Sequence, residues 1–105
     1  MSRWLIVRRS AKTDIRDARR WYELRRPGLG REFIGEVDAT LARVHAMPMQ
    51  FIEVMPGVRR ALTARFPYAV YFRVEEKRVI VFVVIHTNRD SEVWQRRLDE
   101  ELGER

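Results

Sequence analysis

Val79-Ile80-Val81-Phe82-Val83-Val84-Ile85 is an unbroken apolar run, and its lack of alternation marks a central strand covered on both faces. Such a strand needs neighbours at its edges and a layer above and below. Just before it, Tyr68 to Glu75 alternates Val70, Phe72 and Val74 against Ala69, Tyr71 and Arg73, the period of a strand with one buried face. Glu75-Glu76-Lys77 supplies the polar turn that makes the two a hairpin. Val58 to Phe66 reads as a further strand, and Trp4 to Val7 as a short β-prone segment near the N-terminus.

The covering layers come from helices. Ala11, Ile15, Ala18, Trp21 and Tyr22 recur at helical steps behind a capping Ser10, with Arg16, Arg19, Arg20 and Glu23 on the other side. Pro27-Gly28 ends this helix. A second begins near Gly30, carries Phe33, Ile34, Val37, Leu41 and Val44 on one face, and stops before Pro48. The short connection predicts an antiparallel helix hairpin. Met49 to Gly57 reads as a loop pinned to the core by Phe51 and Ile52. Asp90 or Ser91 caps a last helix bearing Val93, Trp94, Leu98 and Leu102. The predicted order is β-α-α-β-β-β-α, an α+β fold with an N-terminal helix hairpin and a C-terminal helix on a small sheet.

A chain of 105 residues is long enough for one modest core, so residues 1–105 are expected to form one domain. It has no cysteine and only two histidines, His45 and His86, which removes disulfides and thiolate metal sites and leaves no support for a histidine metal centre. No apolar run is long enough to span a bilayer, and the apolar core of Met1 to Arg9 is too short for a signal peptide. The expectation is a reduced, cytoplasmic protein without cofactor, metal or membrane association. The net charge is +6, and every cation except Lys12 and Lys77 is an arginine. Arginine pairs bidentately with phosphate and carboxylate and stacks on planar rings. The composition therefore fits a polyanionic or acidic partner, or equally a GC-rich genome that favours arginine codons.

Candidate site residues cluster in the second half. If Val58 to Phe66 is one strand, Arg59 and Arg65 share a face and Arg60 points away. Arg73 lies opposite Val70, Phe72 and Val74. With Arg89, Arg96 and Arg97, these could line a sheet face closed by Trp94 and His86, suited to phosphate and stacking; the alternative is a charged face that blocks edge pairing. His86 ends the central strand, where an imidazole can serve as acid or base, or can anchor the Thr87-Asn88 turn or pair with Asp90. Trp21 and Tyr22 fall on the apolar stripe and read as packing residues. Trp94 shares a helix face with Arg97. A phosphate-binding glycine loop, nucleophile elbow, metal spacing and carboxylate dyad are all missing.

From about Leu5 to Leu98 the chain resembles the ParE/RelE superfamily of toxins from bacterial type II toxin–antitoxin pairs. The resemblance is carried by Trp21-Tyr22-Glu23, Pro27-Gly28-Leu29-Gly30 ahead of Phe33, and Pro48 closing the second helix. It continues through Val58-Arg59-Arg60-Ala61-Leu62, Arg65-Phe66-Pro67-Tyr68, Val70-Tyr71-Phe72 and His86-Thr87-Asn88-Arg89-Asp90, with Trp94 and Arg97. It implies a toxin held in a hetero-oligomer by a cognate antitoxin. ParE-like members are gyrase poisons; RelE-like members are ribosome-dependent mRNA endonucleases that rely on Lys/Arg groups and a C-terminal aromatic. In the RelE-like pattern an arginine precedes the aliphatic-Tyr pair of the third strand, where this chain has Ala69. Trp94 replaces the usual tyrosine, and lysines are missing from the second strand. Each departure removes a group that RNA cleavage would use. The expected function is thus growth inhibition through DNA gyrase, with Arg59, Arg60, Arg65, His86, Arg89, Trp94 and Arg97 as candidate target contacts. A ribosome/mRNA nuclease and a non-toxic nucleic-acid-binding domain are the alternatives.

Overall fold

The computed structural model describes residues 2–88 and 91–103. Strand β1 (Trp4–Val7) is followed by helices α1 (Arg9–Arg25) and α2 (Leu29–Ala46). Strands β2 (Glu53–Met55), β3 (Val58–Leu62), β4 (Tyr68–Val74) and β5 (Arg78–His86) come next, then helix α3 (Ser91–Gly103). The sheet order is β1-β5-β4-β3-β2. β1 runs parallel to β5, and every other neighbouring pair is antiparallel. The apolar run is therefore an internal strand, as its lack of alternation requires. Among the described residues no helix is long and apolar enough to cross a membrane.

Each face of the sheet has its own core. The α1–α2 hairpin covers Ala61, Val70, Phe72, Val79, Val81 and Val84 with Ala11 and Val44. On the other face α3 lays Trp94 and Leu98 over Val58, Ala69, Tyr71, Phe82, Val83 and Ile85. The pairing of β4 with β5 shifts from Phe72↔Val81 to Tyr71↔Val83. This bulge turns both Phe82 and Val83 towards α3, which is how one strand serves two cores without strict alternation. Phe33, Phe72 and Phe82 are almost wholly buried, each stabilising the fold by about 1.5–3 kcal/mol relative to exposure.

The hairpin is closed by a carboxylate. Gly28 has φ of 91°, a left-handed conformation that favours glycine. Glu23 of α1 accepts the N–H groups of Gly28 (3.0 Å) and Gly30 (3.0 Å), capping α2 from the neighbouring helix. Those two backbone hydrogen bonds hold the Glu23 carboxyl below its ordinary pKa. Gly30 also permits the crossing: a Cβ there would stand 2.9 Å from the Arg19 carbonyl oxygen.

Three local expectations are corrected. β3 ends at Leu62 rather than Phe66, because Thr63 Oγ1 bonds the Phe66 carbonyl and Glu36 of α2 accepts the N–H groups of Ala64 (3.1 Å) and Arg65 (3.0 Å). Those groups leave the ladder to bind side chains. The Met49–Gly57 segment contains the short edge strand β2. Ser10 lies inside α1 and donates to the Phe82 carbonyl (3.4 Å) instead of capping. Trp21, expected to pack in the core or at its edge, is half exposed, while its neighbour Tyr22 is buried among Phe33, Phe66 and Tyr68. The expected cap at Asp90 or Ser91, like Arg89, lies outside the described residues and side chains.

Candidate functional site

Cross-strand pairing assigns each arginine of β3 and β4 to a face. Arg59 pairs with Phe72 and lies on the hairpin side; Arg60 pairs with Tyr71, and Val58 with Arg73, on the α3 side. Arg59 Nη1 donates to the carbonyls of Phe51 (2.6 Å) and Met49 (3.4 Å), holding the turn that leads into β2. Arg65 sits on the loop after β3 and extends to α2, where Nη2 donates to Glu32 Oε1 at 2.6 Å. Arg59 and Arg65 thus share no strand face, because the strand ends between them.

The α3 face is not an open arginine surface. Glu101 of α3 is buried and accepts Arg8 Nε (2.7 Å), Arg8 Nη2 (2.9 Å) and Arg73 Nη2 (2.9 Å). Burial raises the Glu101 pKa, but the hydrogen bonds from Arg8 and Arg73 and their charges outweigh it, so the carboxyl lies below its ordinary value. Arg73 also reaches Glu75 at 3.4 Å. Trp94 is buried and stacks on Tyr71, with ring centroids 4.8 Å apart and planes 11° from parallel. The Trp94 ring lies in the interface between α3 and the sheet.

Arg97 and His86 sit beyond the end of β1. Pairing of β5 with β1 ends at Val81, leaving the next backbone groups on that edge to side chains. Asp14 Oδ2 accepts the Val84 N–H (3.0 Å), and Arg97 Nη1 donates to the Phe82 carbonyl (3.2 Å). Arg97 then binds Asp14 through two more contacts, 3.0 and 2.5 Å, tying α3 to α1. The Asp14 hydrogen bond holds the Arg97 guanidinium above its ordinary pKa despite burial. His86 Nδ1 accepts the Asn88 N–H at 3.0 Å, so a neutral ring carries its proton on Nε2. Its ring meets that of Tyr68 edge-on at 5.4 Å. His86 therefore anchors the Thr87–Asn88 turn, and no metal-binding group of three or more His, Cys, Asp or Glu occurs among the described residues.

Arg60 is partly buried, and its Nε, like that of Arg73, is shielded from water with no hydrogen-bond partner among the described residues. Arg73 is nevertheless bound to Glu101 through Nη2, whereas Arg60 makes no ion pair among the described residues. A charged donor in that state carries a desolvation cost. Arg96 projects from the exposed side of α3. The sequence offered no way to separate Arg60 from Arg73, because Glu101, far along the chain, decides which is neutralised.

The sequence model of the ParE toxin of the type II toxin–antitoxin system parDE matches residues 5–91. The chain belongs to the ParE toxin family. None of the curated proteins searched matches it. Among solved structures, a chain from the chromosomal ParDE toxin–antitoxin system of P. aeruginosa is similar at 19% identity and a TM-score of 0.74, covering 83% of this chain and 98% of its own. A double arginine-to-alanine mutant of the E. coli toxin RelE, in the free state, is similar at 18% identity and a TM-score of 0.68, covering 95% of this chain and 98% of its own. At these identities the two structures speak for the fold, which is the α+β arrangement expected from the sequence.

Proposed function

We propose that the protein is a growth-inhibiting toxin that acts by binding, with DNA gyrase as its target, and that a cognate antitoxin neutralises it. The observation that carries this reading is the state of the α3 face. RNA cleavage by 2′-hydroxyl attack needs reachable cations around the reacting phosphate and a group to move the proton. Here Arg73 is neutralised by Glu101, Arg97 is bound to Asp14, and Trp94 is stacked beneath α3. Ala69, standing where a nuclease would carry arginine, is buried and offers no charge. Arg60, which makes no ion pair among the described residues, and Arg65, which is paired with Glu32 but 59% exposed, are with Arg59 the cations we assign to an acidic protein surface. The parDE family assignment favours the same branch and an antitoxin partner.

The test is induction of the chain in cells with and without the neighbouring antitoxin gene, with DNA and protein synthesis pulse-labelled. Replication should stall first, with an SOS response and gyrase-dependent double-strand breaks, and co-expressed antitoxin should restore growth. Early loss of translation with mRNA cut within codons would replace this reading with the ribosome-dependent nuclease.

A further inference from the structure

The flank of α1 that faces α3 is only half covered. Asp14, Asp17, Trp21 and Leu24 follow one another at helical steps along it. Arg97 of α3 covers Asp14, but further along the helix Asp17, Trp21 and Leu24 remain exposed. Between the helices lies a cavity of about 470 Å³ bounded by Asp17, Trp21, Tyr68, His86, Val93 and Arg97.

The chemistry of this cleft is opposite to that of the molecule. The protein carries +6, yet in the cleft Arg97 is neutralised by Asp14 through contacts of 3.0 and 2.5 Å. Asp17, 70% exposed, makes one ion pair among the described residues, with Arg16 at 4.0 Å. Trp21 already holds one guanidinium: Arg25 lies 4.1 Å from its ring centroid. A negative group beside a cation-stacking ring selects a planar cation, and the guanidinium can meet the carboxylate bidentately where an ammonium cannot. Leu24, 81% exposed one turn beyond Trp21, supplies an apolar contact for the residue next to it.

We infer that this cleft is a docking site for a partner polypeptide that inserts an arginine between Asp17 and Trp21 and covers Leu24 with an adjacent apolar side chain. The site includes none of Arg59, Arg60 and Arg65, and it does not depend on gyrase being the target. The direction of selectivity makes the inference sharp, since the overall charge would draw acidic peptides, whereas this cleft takes a basic one.

The experiment is a ¹H–¹⁵N correlation titration of the full chain with the capped dipeptides Ac-Leu-Arg-NH₂ and Ac-Leu-Glu-NH₂. The Trp21 indole signal is assigned by Trp21→Phe. The arginine peptide should shift the Trp21 indole and Val93 amide signals saturably, and Asp17→Asn should weaken that binding by about fivefold, the upper end for one exposed ion pair. Asp17 is exposed, so this variant keeps the fold, and the remaining spectrum reports whether it has. Equal binding by the parent and Asp17→Asn, equal binding of the glutamate peptide, or an unsaturable drift with the arginine peptide would each overturn the inference.

Discussion

Removing the Glu101 carboxylate should loosen the C-terminal helix more than any exposed substitution. In Glu101→Ala the three hydrogen bonds from Arg8 and Arg73 disappear. Arg8 and Arg73 then lose their shared carboxylate at the α3–sheet junction, with side chains 33% and 12% exposed, while Arg73 keeps its 3.4 Å contact with Glu75. Breaking a buried pair costs about 3–5 kcal/mol; the partial exposure of Arg8 argues for the lower end, about 3 kcal/mol. For a domain near 100 residues that is a fall in Tm of roughly 12–15 °C. Glu101→Gln keeps the shape and loses the charge, so it should fall between the two. Because the folded pKa of Glu101 is lowered, its contribution is fully present above the ordinary carboxylate value of 4.5. That contribution is lost as the pH drops through the lower folded value. The gap between parent and Glu101→Gln should therefore be wide at neutral pH and shrink in acid. Urea unfolding followed by far-UV circular dichroism across that range measures it. A Glu101→Ala Tm within about 3 °C of the parent, or a gap that does not narrow in acid, would show that the carboxylate does not fasten α3.

Three further outcomes are expected. Trp94→Ala empties the space beneath α3 and breaks the Tyr71 stack, costing about 3–5 kcal/mol by urea unfolding. Gly30→Ala forces a Cβ to within 2.9 Å of the Arg19 carbonyl, so the helix hairpin must spread, at about 1–3 kcal/mol in the same assay. Arg60→Ala removes a shielded donor that has no partner; its Tm should hold or rise while growth arrest weakens, and full arrest would remove Arg60 from the target surface.

Much of the fold was legible because periodicity reports burial directly. The Val79–Ile85 run and the alternation of β4 give an internal strand and its neighbour, and the stripe through Phe33, Val37 and Val44 gives α2, all set by local spacing. The errors fall where a distant side chain takes over a backbone group. Val58 to Phe66 is β-prone throughout, but Glu36 removes the Ala64 and Arg65 N–H groups from the ladder. Ser10 has the right chemistry for a cap, but the Phe82 carbonyl is exposed where β1 stops and takes its hydroxyl.

The site was less legible for a related reason. Sequence counts arginines, but a surface binds through those that the fold has not already neutralised. Glu101 claims Arg8 and Arg73, Asp14 claims Arg97, and Glu32 claims Arg65. Each carboxylate is far in sequence from the arginine it holds, so no local pattern announces the pairing. Arg59 and Arg60 adjoin on one strand and look equivalent in the sequence. The pleat sends one to bridge backbone carbonyls at the Pro48–Phe51 turn and the other to a place with no acceptor for its Nε. Of Arg59, Arg60, Arg65 and Arg97, Arg60 alone has no side-chain hydrogen bond or ion pair among the described residues, although Arg73 shares its shielded, unpartnered Nε.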